Sequence, residues 1–319
     1  SQEPKMEGNT MVVHIQTLKE QMKYDRRQFA VGAGMKVKIV FSNPDAMDHN
    51  MIFVQPGTAS QVAMAAMMLG ADGIKKNWTP ESDKIIAASK MLSMGKTETI
   101  EFTAPTALGK YDYICTYPGH YQLMNGVMHV VDDVKKWMAE NKDTVQEPGR
   151  KFVQEWKVGD LAGDVAKLGS GRSVQKGEAV FKAASCVTCH LQNEKGGRIG
   201  PDLADGTQPL DPPAMLAEIL EPSKVINEKY KTWQLSIETD DILADNMLYG
   251  LIVEENSEFV RVVTNPLQDA EGTKVATGKI KERTPAPLST MPTGLLNSFT
   301  REEILDLIAH LQSIRVAKK

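Results

Sequence analysis

The stretch YICTYPGHYQLMNG, residues 113–126, sets one thiol, one imidazole and one thioether within ten residues: Cys115, His120 and Met124. Two imidazoles and a thiolate in a near-trigonal plane, with a thioether at longer range on the axis, form the donor set that tunes copper for electron transfer. One loop supplies three of these four donors, so the fourth must be a histidine brought from a distant strand. His49 in PDAMDHNMIFV fits, because it follows the strand-like KVKIVFSN and precedes a second apolar run. A nucleophilic cysteine with a nearby base is the competing chemistry, but five-residue spacing on a strand-turn loop makes a poor catalytic pair. A two-copper centre needs a second cysteine in the loop, where Tyr117 and Gly119 stand instead. Zinc binds cysteine and histidine well and would also enter such a pocket in vitro.

Three cysteines are present, and the other two, Cys186 and Cys189, sit in C-V-T-C-H with His190 directly after them. Two thiols spaced by two residues reach both vinyl groups of a haem while the next imidazole meets the iron, so the motif reads as covalent attachment of one haem c. A thioredoxin-like pair or half of a zinc site is the blander alternative, but no second Cys or His pair follows. With His190 on one side of the iron, a methionine sulfur on the other raises the potential and closes the iron to small ligands. Met215, Met247 and Met291 follow the motif. Met291, in the proline-rich PAPLSTMPTGLLNSF ahead of the last helical segment, is the expected sixth ligand. Met215 falls in an amphipathic stretch and Met247 in a β region. His14, His129 and His310 lie within regular segments and are read as packed or surface residues.

These donors need rigid elements to hold them, and 319 residues suffice for two domains of ordinary size. Residues 11–132 carry β-branched and alternating runs (MVVHIQ, KVKIVFS, MIFVQ, TETIEFTAP, KYDYICTYP, VMHVV) bounded by Gly, Pro, Asn and Asp, which is a β-sandwich pattern. TASQVAMAAMML, residues 58–69, interrupts it as a helix that opens on capping hydroxyls and stops at Gly70. Its Met64, Met67 and Met68 read as flexible core filler. Residues 133–173 shift to charged helix formers with scattered glycines and read as a partly helical connector. From 174 to 319 the pattern is helical around the haem motif, and the last helix opens on a capping box, Thr300 and Glu303. Within it, WQLSIETDD, NMLYGLIVEEN and EFVRVVTNP predict a β insertion at about 231–283. The expected fold is thus an all-β domain, 1–132, a connector, 133–173, and a mainly α domain, 174–319.

Composition excludes several functions. With 24% charged residues, 41% hydrophobic residues and a net charge of -4, the chain reads as soluble and globular. It contains no apolar run of about eighteen residues that would span a membrane, and no basic patch with interleaved aromatics for nucleic acid. The opening SQEPKMEGNT lacks the regions of a signal peptide, so a mature or trimmed start is expected. Covalent haem attachment takes place outside the cytoplasm, which predicts a periplasmic or otherwise exported protein.

Residues 11–132 resemble the azurin, plastocyanin and auracyanin family of cupredoxins. C-T-Y-P-G-H-Y-Q-L-M has the azurin-like spacing, with the histidine five past the cysteine and the methionine four further on, and the helical insertion at 58–70 is azurin-like too. The resemblance implies a Greek-key sandwich around one type 1 copper ion. It further implies a weak contact from the Asp48 backbone carbonyl opposite Met124, where azurin has a glycine, and an Asn50 that braces the cysteine loop. It also makes His120 the electron's exit, through an apolar patch of Pro118, Gly119 and Leu123.

Residues 174–315 resemble the planctomycete-type haem-binding domain of class I cytochromes c, through GEAVFKAASCVTCH, IGPDL, ILEPSKVINEKY, the β insertion and MPTGLLNSFTREEILDLIAHL. That resemblance implies that the Pro201 carbonyl accepts the free ring N–H of His190. It also implies Arg198, Tyr230 and Trp233 as contacts to the haem propionates or edge.

Together these features predict a cupredoxin fused to a monohaem cytochrome c, relaying single electrons between protein donors and acceptors and transforming no substrate. Two alternatives stand beside this reading. Without Met291 as a ligand, the haem would act on peroxide or nitric oxide; or the chain is the electron-acceptor tail of a larger dehydrogenase.

Overall fold

The computed structural model describes residues 3–141, 150–169, 171–192, 195–197, 199–204, 211–238, 246–264 and 271–316. It divides into two compact units, Ser1–Lys151 and Phe152–Lys319.

The first unit is a sandwich of two sheets. Lys36–Asn43 is buried at every second residue, the period of a strand with one face on a core. It lies between Thr10–Leu18, to which it runs parallel, and the antiparallel Lys96–Thr103. The second sheet runs in the order Gln28–Gly32, Asn125–Val131, Gly109–Ile114, Ile52–Val54, Ile85–Ala88. Between the sheets lie Tyr24, Phe29, Phe41, Phe53 and Tyr113, all fully buried. Gly126 makes room for the Tyr113 ring, since a Cβ there would come 2.2 Å from Tyr113 Cζ. The pairing of Ile52 with Ile114 matters most for function, because it brings the chain after Ile114 beside the chain before Ile52.

The helix Ala59–Met68 interrupts the strands near the predicted place, with Met64 and Met67 buried. Its start differs from expectation. Thr58 stands at the N-cap, but its hydroxyl donates to the Gln55 carbonyl at 2.8 Å rather than accepting from the helix.

Residues 133–173 do not form one connector. Val134–Glu140, capped by Asp133, packs against Gln28–Gly32, and Trp137 lies 4.8 Å from the His129 ring. Beyond the division at Lys151, Trp156, Leu161 and Val165 belong to the core of the second unit. Trp156 donates its indole N–H to the Phe299 carbonyl at 3.0 Å, across 143 residues. A helix with an apolar stripe needs a surface to bury it, and composition alone does not say on which side of a linker that surface lies.

In the second unit the helices Val174–Ala183 and Arg301–Val316 cross closely, because Gly177 lacks a Cβ that would sit 2.1 Å from the Asp306 carbonyl oxygen. Thr300 and Glu303 close the capping box: the Thr300 N–H donates to the Glu303 carboxylate, and the Glu303 N–H to the Thr300 hydroxyl. Phe181, Leu216, Phe299, Ile304 and Ile308 fill this core. Thr232–Ile237, Met247–Glu255, Phe259–Val263, Thr273–Ala276 and Ile280–Pro285 form a five-stranded sheet with its own small core of Leu235, Val260 and Val262. Among the described residues, no helix is long and apolar enough to cross a membrane.

Candidate metal centres

His49, Cys115 and His120 converge in the first unit, each with no exposed surface. Cys115 follows the strand Gly109–Ile114, and its N–H donates to the Met124 carbonyl at 3.1 Å, which closes the loop. Within the loop Gly119 adopts a φ of +81°, and His120–Gln122 forms a single tight turn whose His120 carbonyl accepts from the Met124 N–H at 2.8 Å. That left-handed turn suits glycine, which has no Cβ to clash. His49 arrives from the neighbouring strand connection, held by two backbone bonds to Leu92 of 3.1 and 2.8 Å. Met124 is also fully buried.

The thiol lies between the two imidazoles. His49 Nδ1 is 3.8 Å and His120 Nδ1 3.6 Å from Cys115 Sγ, and the ligating atoms of the three side chains all lie within 4.8 Å of one another. Nitrogen, nitrogen and sulfur converging in a dry pocket, with a thioether on the same loop, fit a type 1 copper ion.

The remote nitrogens of the two rings differ. His49 Nε2 lies 2.7 Å from Asp45 Oδ2, with both side chains wholly buried. His120 Nε2 is buried with no hydrogen-bond partner. Burial pushes both imidazoles towards the neutral form. At His49 the bond to Asp45, helped by Cys115, overcomes it and raises the pKa to about 9. At His120 burial, followed by the charge of His49, holds the pKa well below 6.5. Burial would raise Asp45 too, but the bonds from His49 and the Glu20 backbone hold it below the usual carboxylate range. Glu20 is raised to about 7, by burial first and then by the Asp45 charge.

Asn50 reaches across 66 residues: its Oδ1 accepts from the Thr116 N–H at 2.8 Å, and its Nδ2 donates to Thr116 Oγ1 at 2.7 Å and to the Asn77 carbonyl at 2.8 Å. Thr116 in turn donates its hydroxyl to the Trp78 carbonyl at 2.6 Å. Asn77 and Trp78 both have positive φ, 54° and 51°, so a strained turn ties the two ligand segments together. Asp48, next to His49, is exposed. The expectation that His120 reaches the surface is overturned: its ring has no exposure, and the Tyr117 ring lies 4.7 Å away. The half-buried Tyr117, Pro118 and Leu123, rather than the imidazole, present this part of the loop to solvent.

The haem motif follows a left-handed Ser185, φ +61°, that turns the chain out of the helix Val174–Ala183 into the tight turn Cys186–Thr188. Cys186 and Cys189 are free thiols, each partly exposed. His190 Nδ1 donates to the Pro201 carbonyl at 3.0 Å, which leaves Nε2 to face a metal. Gly200 leaves room for that ring, since a Cβ there would sit 2.5 Å from His190 Cε1. Two free thiols and an oriented imidazole on one turn fit a covalently held haem.

Of the methionines, Met215 packs in the helical core and Met247 lies in a strand. Met291 lies outside helix and strand, partly buried, with its N–H on Ser289 Oγ at 3.1 Å; Ser289 N–H is in turn held by Ser223 Oγ at 3.0 Å. Tyr230 is partly buried at the end of a short turn, and Trp233 packs on the core of the small sheet. Arg198 lies outside the described residues. Sequence reasoning missed Asp45 and the Asn77–Trp78 turn. Asp45 stands four residues before His49 in DAMDH, but so short a polar run does not say which of its carboxylates turns inward.

The model of copper-binding proteins of the plastocyanin/azurin family matches residues 11–131, and that of cytochrome c matches residues 174–240. Auracyanin-A of Chloroflexus aurantiacus is 38% identical over 122 residues, covering 38% of this chain and 74% of its own. Azurin of Pseudomonas fluorescens biotype C is 30% identical over 118 residues, covering 34% of this chain and 90% of its own. Among solved structures, dithionite-reduced auracyanin of Roseiflexus castenholzii is 37% identical, covers 39% of this chain and 98% of its own, and has a TM-score of 0.35.

Proposed function

Since the chain belongs to the plastocyanin/azurin family of copper-binding proteins through residues 11–131 and continues into a cytochrome c domain, we propose that it is an exported, periplasmic relay passing single electrons between a type 1 copper and a haem c. In this reading His49, Cys115, His120 and Met124 hold the copper, with a weak contact from the Asp48 carbonyl. Cys186 and Cys189 bind the haem covalently, and His190 and Met291 ligate its iron. The observation that carries it is the fully buried cluster of two Nδ1 atoms flanking the Cys115 sulfur at 3.8 and 3.6 Å.

When bound, copper and haem iron each supply a one-electron couple, and the chain supplies position and dryness. The buried donors exclude water from the first site. Asn50 and Thr116 lock the two ligand segments to each other, so the donors keep one arrangement in both oxidation states. In the second unit Pro201 fixes the orientation of His190, and Met291 would supply a thioether to the haem iron. The sheet Thr232–Pro285, inserted ahead of Met291, supports the planctomycete-type reading of this half.

A spectroelectrochemical titration of the intact chain tests the reading. Two one-electron transitions are expected, one bleaching an intense visible thiolate band and the other shifting the haem bands. Cys115→Ser should remove the first and leave the second. A blue band that survives this substitution sinks the copper assignment. Rapid carbon monoxide binding to the untreated reduced protein would instead support haem chemistry on peroxide or nitric oxide.

A further inference from the structure

Asp45 is a wholly buried carboxyl group that the electron-transfer reading above leaves without a task. Three N–H groups point at it, and the Glu20 carboxyl group is hydrogen-bonded to it as well. Oδ1 accepts from the backbone of Glu20 at 2.9 Å and of Ala46 at 2.8 Å, and Oδ2 faces His49 Nε2 at 2.7 Å. Three N–H groups on one carboxylate favour its ionised form and offset the cost of burying the charge. The residue is also held from behind. Its own N–H donates to Asn43 Oδ1 at 3.0 Å, which also accepts from Thr17 Oγ1 at 2.7 Å. Asn43 Nδ2 in turn donates to the carbonyls of Met47 and Leu92, at 2.8 and 2.7 Å. Leu92 is the residue whose backbone pairs with His49. One small network thus fixes both the backbone and the ring of His49.

A carboxylate on one ring nitrogen keeps the proton there, so the other nitrogen presents its lone pair. At His49 that other nitrogen is the Nδ1 beside Cys115. A fixed negative charge one imidazole away also favours the more positive state of a metal held by Nδ1, and His120 has no counterpart to it.

We propose that Asp45 is a positioning residue for the copper centre, holding His49 as its Nε2–H tautomer and holding the copper potential down. The proposal rests on the copper reading of this cluster, and the test separates the two. In full-length Asp45→Asn loaded with copper, the blue band should persist. At a fixed solution potential the ratio of reduced to oxidised copper should rise at least tenfold, which is about 59 mV for one electron. The haem potential of the same molecule serves as the internal reference and should not move. A wild-type chain with no thiolate band overturns the copper reading itself. A variant that keeps the band and the wild-type copper potential overturns the role of Asp45 alone.

Should Asp45→Asn fail to fold, the unmodified chain still decides the matter. With both metals reduced, ring-nitrogen NMR should find the His49 proton on Nε2, exchanging slowly with water. An unprotonated Nε2, or a proton exchanging at the rate of an exposed imidazole, refutes the proposal.

Discussion

His49, Cys115, His120 and Met124 have no exposed surface, whereas Cys186, Cys189, His190 and Met291 are each partly exposed. The two sites are assembled differently. In the first unit the donors close on one another, and Asn50, Thr116 and Asp45 brace them from outside the cluster. In the second, the Pro201 carbonyl orients the His190 ring, backbone N–H groups of Gly197 and Gly200 tether the turn at Val187 and Cys189, and Cys186 packs against the edge of the helical core. A single ion fits inside a finished sandwich. A macrocycle is large enough to be a structural part of the domain that holds it, so the second unit should depend on its cofactor far more than the first.

Loss of each cofactor is the strongest way to break that contrast. Cys186→Ala with Cys189→Ala should abolish the cooperative thermal transition of the second unit. Stripping copper with a chelator should lower the stability of the first unit by about the 4 kcal/mol that a ligand at a thousand times its Kd contributes. It should leave the sheet signature in circular dichroism unchanged. A haem-free second unit that still melts cooperatively would remove the distinction.

Next in size is the clamp. Asn50→Ala removes two buried bonds and one partly buried one and leaves the Thr116 N–H without its acceptor, which should cost about 3 kcal/mol in denaturant unfolding of the first unit. An effect below about 1 kcal/mol would mean that the loop needs no such bracing.

The two methionines sharpen the comparison by sign. Met291→Ala should lower the haem potential by on the order of 0.1 V, within the roughly 0.8 V that axial ligation spans, and admit carbon monoxide to the reduced form. Met124→Leu should instead raise the copper potential, by about 59 mV or more, because losing a weak sulfur donor disfavours the oxidised ion. Shifts of the same sign at both sites would contradict these assignments. Since Met215 is locked in the helical core, Met215→Ala should change stability without opening the iron.

The smallest effect belongs to Glu20. Its folded pKa of about 7 stands above the ordinary 4.5. Between those values the folded chain keeps a proton that the unfolded chain has released, so stability falls as pH rises through that window. Glu20→Gln should flatten the slope of the first unit's melting temperature between pH 5 and 8. Because Glu20 is partly exposed and screened by solvent, the change should be slight. A variant slope as steep as wild type would place the titration elsewhere.

Cys115 and His120 could be set together from the sequence because they lie five residues apart in one loop, and their ligating atoms do converge; Cys186, Cys189 and His190 were singled out in the same way, by short spacing. Alternation along Lys36–Asn43 likewise announced a strand with one buried face. His49 was reachable as the histidine between two apolar runs. What lay beyond the sequence depended on strand pairing. The meetings of His49 with Cys115 and of Asn50 with the cysteine loop were expected, but it is the register setting Ile52 against Ile114 that delivers them across 66 residues and picks Thr116 as the partner of Asn50. The turn that points Asp45 inward and leaves Asp48 exposed was likewise invisible, as was the burial of His120 beside Tyr117. Trp156 shows the same limit at the level of domains, because the Phe299 carbonyl that takes its N–H is 143 residues away. A periodic pattern reports that a residue has a buried side, but the group it meets there is chosen by packing between segments that are remote in the chain.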